Sequence, residues 1–223
     1  MAKNNAIDNK SSELTIDPGA SGNSFVQFDL NTIGEFRIGV DDNAAFPSID
    51  AFKISQGSAF GTNDTFIMTA AGERTMPLQP AFYGYLSAQD SNVTGDGTTY
   101  TLGSGNTLTE FFDQNSDLST DGIFTAPVTG RYYLSISVFF LGLTTSFTGQ
   151  FFEIVTSNRT YTSAICNTGI LKKGSNLIFQ YASLCDMDDS DTATATFTVS
   201  GSTLTVDIQA QNTRTYFSGY LVC

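Results

Sequence analysis

The chain has 223 residues, of which 40% are hydrophobic and only 14% are charged, and its formal net charge is −12. The length and apolar content suffice for one large domain or two smaller ones. The acidic balance excludes nucleic-acid phosphates and anionic lipid surfaces as partners. The chain contains no histidine, which excludes Ser-His-Asp and Cys-His catalysis and His-ligated zinc.

The first 22 residues are polar, rich in Asn and Ser, and show no hydrophobic periodicity. Such a segment is disordered when free, so we predict an anchoring arm over residues 1–22 that a partner in an assembly holds in place. The sequence has no apolar signal core and no apolar run of membrane-spanning length. We therefore expect synthesis in a cytoplasm, without membrane insertion.

Residues 23–79 contain short strand-like segments in which Phe is followed two positions later by Ile or Met. The pairs are Phe36/Ile38, Phe52/Ile54 and Phe66/Met68. This is a weak internal repeat, and three or four such strands are marginally stable unless they pack on neighbours or on copies of themselves. A proline-containing segment, residues 71–80, follows. We predict a small β stalk or anchoring module over 23–79 and a larger domain over 80–223.

The larger domain shows period-two hydrophobic alternation. In the segment RYYLSISVF, the residues sharing one face are Tyr132, Leu134, Ile136 and Val138. About eight to ten short strands separated by Gly, Asn, Asp and Ser clusters predict an all-β sandwich or jelly roll. Two alternating runs around Ser200-Gly201, within Ala193 to Ala210, predict an antiparallel hairpin with Leu204 on its apolar face.

The stretch GIFTAPVTGRYYLSI, residues 122–136, resembles the globular-head family of complement component C-one-q and the related tumour necrosis factor fold. The residues that match the family signature are Phe124, Pro127, Gly130, Tyr132 and Leu134. Asp113 and Leu118 match two upstream positions, although the gap from Leu118 to Phe124 is one residue short.

Two later segments extend this resemblance. The family's Leu-x-Lys-Gly strand entry is matched by Leu171, Lys173 and Gly174, and its final Phe-Ser-Gly-aromatic-Leu strand by residues 216–222. The resemblance covers residues 81–223. It implies a jelly-roll head that forms a homotrimer, with one face of each copy buried along a three-fold axis. The candidate interface or core residues are Tyr132, Leu134, Phe217 and Tyr220. Surplus aromatic residues also favour an obligate interface.

Residues 51–77 and 81–105 are similar to fibre and appendage proteins of tailed bacteriophages. This similarity implies a virion surface protein, either a head fibre or decoration protein or a short tail fibre. Its implied partners are other copies of itself, capsid or tail proteins bound through the arm, and a host-surface glycan or protein. The competing interpretation is a soluble or secreted lectin-like or signalling module with no virion role.

Four carboxylates cluster in the segment CDMDDSD: Asp186, Asp188, Asp189 and Asp191. Oxygen ligands of this kind bind calcium, but a solvated acidic turn is the favoured interpretation. A second acidic segment, with Asp41, Asp42 and Asp50, is a weaker calcium candidate. We expect no other cofactor.

We expect no enzymatic activity, because nothing pairs Glu110 with Glu153 as the acid and base of a glycosidase. The cysteines are Cys166, Cys185 and Cys223. An odd number without CxxC spacing argues against a disulfide framework, and their apolar surroundings predict buried free thiols.

Overall fold

The fold is described from a computed structural model, which places residues 23–29, 35–42, 50–57, 59–163 and 175–223. All the regular secondary structure in these ranges is β-strand, so the all-β prediction is confirmed. None of these ranges includes a helix long and apolar enough to cross a membrane. The anchoring arm, the Leu171–Gly174 motif and Cys166 lie outside the described residues. The chain divides into two compact units, Met1–Leu78 and Gln79–Cys223.

The described residues of the N-terminal unit form one antiparallel sheet in which each strand pairs with the next along the chain. Its strands are β1 (Ser24–Asp29), β2 (Glu35–Asp41), β3 (Ala51–Gln56), β4 (Asp64–Met68) and β5 (Arg74–Thr75). The three Phe-x-Ile/Met segments form β2, β3 and β4, as the repeat predicts. The sheet has five strands rather than three or four, because Ser24–Asp29 and Arg74–Thr75 pair along its two edges.

A buried ion cluster lies within this unit. The Lys53 Nζ is 2.6 Å from Asp41 Oδ2 and 3.1 Å from Asp64 Oδ2, and all three side chains are buried. Burial alone would lower the pKa of Lys53, but the hydrogen bonds and charges of the two carboxylates together raise it above its ordinary value. Asp41, a weak calcium candidate by sequence, therefore accepts its hydrogen bond from a lysine of the same sheet.

The part of the C-terminal unit that the structure describes forms two antiparallel sheets. One consists of β8 (Thr99–Thr101), β10 (Phe124–Thr125), β12 (Gly149–Thr156), β13 (Thr160–Thr162) and β15 (Thr192–Ser200). The other consists of β6 (Ala81–Leu86), β7 (Asp90–Thr94), β9 (Leu108–Asp113), β11 (Gly130–Leu141), β14 (Leu177–Met187), β16 (Val206–Ile208) and β17 (Tyr216–Leu221). In the second sheet, the long strand β11 pairs with β14 along one edge and with β17 and β16 along the other.

The two sheets pack face to face around an aromatic core, which makes this unit a jelly-roll sandwich. Rings from opposite sheets meet directly, since the centroids of Phe82 and Phe124 are 4.6 Å apart and those of Phe140 and Phe152 are 5.5 Å apart. The four residues predicted to share one face of β11 do so, and the structure shows that this face is the inward one, since all four are completely buried: Tyr132, Leu134, Ile136 and Val138. Burial of such side chains is the main favourable term in folding.

The segment GIFTAPVTGRYYLSI takes the chain from one sheet to the other. Phe124 lies in the first sheet on β10, and after the corner around Pro127 the chain enters β11 of the second. The Tyr132 hydroxyl donates a hydrogen bond of 2.7 Å to the Val128 carbonyl in that corner. At the start of the segment, Gly122 has a φ of +81°, which glycine adopts without steric cost. The motif therefore fixes how the two sheets are joined.

The predicted hairpin around Ser200-Gly201 is wrong. The strand β15 pairs with β8, β10 and β12 in one sheet, whereas β16 pairs with β7 and β11 in the other. Both strands alternate because each presents one face to the shared core, and alternation does not reveal which sheet a strand joins. Leu204, predicted to face inward, lies exposed in the connection between the sheets.

Candidate functional site

The outward face of the seven-stranded sheet carries a group of aromatic side chains. Tyr133 on β11 lies opposite Tyr220 on β17 and opposite Leu184 on β14, while Tyr83 on β6 lies opposite Phe112 on β9. Directly paired residues point to the same side of a sheet. We define the aromatic face by Tyr83, Tyr85, Phe111, Phe112, Tyr133, Tyr216 and Tyr220.

The rings of this face contact one another across three strands. Tyr83 stacks on Tyr216 with a centroid distance of 4.6 Å and contacts Phe111 at 5.2 Å. Phe111 in turn lies 4.8 Å from Tyr85. Aromatic pairs at these separations contribute more to stability than the burial of their apolar area alone. Five of the seven rings are therefore linked by contacts, and Tyr133 and Tyr220 form a separate pair with centroids 5.5 Å apart.

A β-bulge enlarges the face at its edge. The pairing of β6 with β9 shifts between Tyr83 and Gly84, so that Tyr83 pairs with Phe112 whereas Gly84 pairs with Glu110. Phe111 is the extra residue, and bulges of this kind redirect side chains. Both Phe111 and Phe112 are consequently about half exposed, at 53% and 50%.

A cleft of about 360 Å³ opens on this face. Its lining comes from four strands and the residue after β9: Ala81, Phe82, Tyr83, Phe112, Gln114, Tyr133, Ser218, Gly219 and Tyr220. Apart from Gln114, Ser218 and the tyrosine hydroxyl groups, the lining side chains are apolar. The cleft suits an apolar or aromatic side chain of a partner.

Tyr83 is neutral at physiological pH. Burial raises the pKa of Tyr83 to about 12, and the neighbouring Tyr216 adds to this shift. The Tyr83 hydroxyl donates a hydrogen bond of 3.0 Å to the Asn212 carbonyl. The ring is thus fixed by stacking at one side and by a backbone acceptor at its tip.

The structure separates the four predicted interface or core residues into two groups. Tyr132, Leu134 and Phe217 are completely buried in the core, whereas Tyr220 is 50% exposed on the aromatic face. Adjacent residues on a strand point to opposite sides, which explains why Phe217 and Tyr220, three positions apart, face different ways.

Most residues of the aromatic face were not singled out by the sequence. A usable signal exists in AFYGYL, where Tyr83 and Tyr85 alternate with residues that face the core. Because aromatic residues are also common in cores, their position alone does not distinguish an inward from an outward face. The exposure of Phe111 depends on the bulge, which alternation does not predict.

The acidic segment forms the tight connection between β14 and β15. Asp191 Oδ2 accepts a hydrogen bond of 2.8 Å from the Asp188 amide and another from the Asn158 side chain. The Asp189 amide donates to Thr129 Oγ1 at 3.0 Å. Among the described residues, no group of three or more carboxylate or thiol side chains is arranged to hold a metal ion. Asp186, at the end of β14, belongs to the strand.

The glutamates and cysteines considered in the sequence analysis do not form a common site. Glu110 is on β9 and Glu153 is on β12, in different sheets. Cys185 is a buried free thiol, and burial raises its pKa to about 11, which suppresses thiolate reactivity. Cys223 is exposed, contrary to the prediction of buried thiols, because it follows the end of the last strand.

No protein-family model matches this chain, and none of the curated proteins does so at a significant level. Among solved structures, murine APRIL at pH 8.5 is 13% identical with a TM-score of 0.44, covering 65% of this chain and 99% of that chain. The globular domain of zebrafish complement 1qA protein is 13% identical with a TM-score of 0.41, covering 65% and 98%. Eiger TNF from S. frugiperda is 10% identical with a TM-score of 0.45, covering 65% and 94%. Identities this low carry no conclusion about function.

Proposed function

We propose that this chain is a homotrimeric surface appendage of a bacteriophage particle, which acts by binding rather than by catalysis. The observation that carries the proposal is the aromatic face, a group of half-buried and exposed rings on one side of a paired sheet. Its place on a virion is supported by the similarity of residues 51–77 and 81–105 to phage fibre and appendage proteins.

The aromatic face serves as the contact between heads. Tyr133 and Tyr220 are 39% and 50% exposed, although each is a large side chain on a central, well-paired strand. Aromatic residues are enriched in the buried centres of protein interfaces, and charged residues are depleted there. Three copies joined through this face would bury it around a common axis and leave the connecting loops exposed.

The remaining parts of the chain have separate roles in this proposal. Residues 1–22 attach the trimer to capsid or tail proteins, and the loops of the head contact a glycan or protein of the host surface. Three copies on one particle multiply weak contacts into stable attachment. A head fibre or decoration protein and a short tail fibre are the two forms that this appendage takes.

The competing function is a soluble or secreted lectin-like or signalling module. It uses the same trimeric head but has no particle as a partner. The two functions predict different locations for the protein, on phage particles or free in solution. Locating the protein therefore distinguishes them without reference to the structure of the head.

The deciding experiment is labelling of purified particles with an antibody against the C-terminal unit, viewed by electron microscopy. Particles carrying the intact chain are expected to be labelled at defined capsid or tail positions. Particles from a mutant lacking residues 1–22 are expected to lose the label, while the released protein remains trimeric. Unlabelled wild-type particles with all of the protein free in solution would contradict the virion role and favour the soluble module.

A further inference from the structure

One face of the N-terminal sheet consists of apolar side chains. The residues Val26, Ile38, Ile54 and Phe66 lie side by side across β1 to β4 in the pairing register. The adjoining rows contribute further Phe, Val and Met side chains to the same side. We define the apolar face by Val26, Phe28, Phe36, Ile38, Val40, Phe52, Ile54, Phe66 and Met68. The polar members of these rows lie at the row ends: Ser24, Gln56 and Arg74.

The opposite face of this sheet is covered from within the chain. It holds the buried Lys53 with its two carboxylate partners. The residues after β3 fold over it, since Ser55 Oγ donates to the Ala59 carbonyl at 3.1 Å and the ring of Phe60 contacts Phe25 at 6.0 Å. The Gly61 amide donates to Asp64 Oδ1 at 3.0 Å. Charged groups are thus enclosed on this side.

In most isolated sheets, charged side chains are exposed to water and apolar side chains are buried. In this sheet the opposite is found. Lys53 is 3% exposed, whereas Phe28 is 56% exposed and Val40 is 42% exposed. The four most exposed members of the apolar face leave on the order of 300 Å² of apolar surface in contact with water. This lies at the lower end of the range of about 300–600 Å² for the largest apolar patch on a typical monomer, and such patches are often functional.

A second copy of the chain is the occupant that this face fits. The whole chain carries a net charge of −12, so copies repel each other over most of their surface. None of the nine side chains that define the apolar face is charged, so two such faces meet at these positions without repulsion between carboxylates. The arm is a poor alternative, because its 22 residues supply only four large apolar side chains, Met1, Ile7, Leu14 and Ile16, against the nine of the face.

We propose that the apolar face of the N-terminal sheet packs against the same face of other copies of this chain. This adds a second self-association surface to the one proposed for the head, in a different sheet and a different unit. Burial of the nine side chains between copies also explains how so small a sheet is stable.

Cross-linking of the full chain tests this inference with a pair of neighbouring positions. Val26 and Gln27 are adjacent on β1 and point to opposite faces. Each is replaced by Cys in a Cys166→Ser/Cys223→Ser background, and the two proteins react with a short bismaleimide. We expect Val26→Cys to form cross-linked chains on the order of tenfold more efficiently, since thiols must lie close to be bridged. Equal yields at the two positions would overturn the inference.

A second arm separates this surface from the head. In the Tyr133→Glu/Tyr220→Glu background, which places charge on the aromatic face, Val26→Cys is expected to keep its cross-linking advantage at high protein concentration. Loss of that advantage would show that the sheets do not associate on their own and would overturn the inference. The head interface is judged by the mass of the variant without cross-linker at low protein concentration, whereas the cross-linking comparison is made at high concentration.

A third arm tests coverage by the arm. Under self-association, deleting residues 1–22 leaves the reaction of Val26→Cys with a monofunctional maleimide unchanged. A severalfold increase on deletion would identify the arm as the cover and contradict the proposal.

Discussion

Tyr133 and Tyr220 lie opposite each other on β11 and β17, with ring centroids 5.5 Å apart on the outward side of the sheet. Their strand neighbours Tyr132 and Gly219 face the core. The same two strands therefore present one set of residues to the core and another to the surface, and substitutions in the two sets have different consequences.

Placing charge on the aromatic face should dissociate the proposed trimer without unfolding the chain. In Tyr133→Glu/Tyr220→Glu, like charges from each copy would meet at the contact, and such juxtaposition costs several kcal/mol. Tyr133 and Tyr220 are both exposed in a single copy, so the fold of one chain tolerates glutamate at these positions. We expect a folded β-sheet spectrum by circular dichroism together with a smaller mass by light scattering.

Two comparisons make that result specific. Val128→Glu/Leu204→Glu adds the same charge at exposed positions away from the aromatic face and should keep the wild-type mass. Phe217→Asp places an unpaired charge in the core and should yield unfolded or aggregated protein. A Tyr133→Glu/Tyr220→Glu protein with unchanged mass would argue against this face as the contact.

Gly219 of the final Phe-Ser-Gly strand leaves space for core side chains. A Cβ added there would lie 2.5 Å from Leu134 Cδ2 and 2.9 Å from Phe82 Cε1. We expect Gly219→Ala to lower the free energy of unfolding of the C-terminal unit by about 1–3 kcal/mol through overpacking, measured by urea denaturation. Gly149→Ala is the matched control, because its nearest neighbour would be at 3.7 Å. Equal effects of the two changes would refute the packing explanation.

Removing the buried lysine should destabilise the N-terminal unit. Lys53→Met leaves Asp41 and Asp64 without their cation in a buried site, which costs about 3–5 kcal/mol. Thermal unfolding should show an earlier transition of that unit, with the transition of the C-terminal unit unchanged. The triple variant Lys53→Met/Asp41→Asn/Asp64→Asn should recover part of the lost stability. An unshifted transition in Lys53→Met would show that the ion cluster contributes nothing.

The same cluster sets a pH dependence. The pKa of Lys53 is raised in the folded chain, so its contribution to stability is complete below the unfolded pKa of about 10.4. It is lost as the pH rises through the folded value. The N-terminal unit of the wild-type protein should therefore lose stability as the pH rises through the folded pKa of Lys53. The Lys53→Met variant should not show this loss.

The calcium prediction is tested by thermal melting with and without chelator. The Asp191 side chain accepts a hydrogen bond from the Asp188 amide. Hydrogen bonds of this kind stabilise the connection between β14 and β15 without a metal. We expect the same midpoint in both conditions, because only a ligand bound to the folded state raises it. A midpoint raised by calcium and abolished by Asp188→Asn/Asp189→Asn would instead establish a metal site.

The sequence predicted strands and their inward faces more reliably than their partners. Alternation placed Leu134 and Ile136 correctly, because a buried face imposes period two on any strand. It did not distinguish the sheet of Phe197 from that of Val206, since both face the same core. The family resemblance names Tyr220 as an interface or core candidate, whereas the bulge that exposes Phe111 is a property of the strand pairing and not of the local pattern.

The N-terminal sheet shows a different limit of sequence reasoning. Lys53 alternates with Phe52 and Ile54, so a lysine at this position is expected to face water. It is buried because Asp41 and Asp64, 12 and 11 positions away, meet it on the same side of the sheet. Predicting the burial of Lys53 requires knowing how three strands are paired. No single segment of the sequence contains that information.

The central claim, that the chain works as a trimer, is tested most directly by the mass of the full-length protein in solution. Size-exclusion chromatography with multi-angle light scattering should give three times the chain mass of 23.9 kDa, independent of concentration over the micromolar range. A single stable species at the mass of one chain would contradict the account.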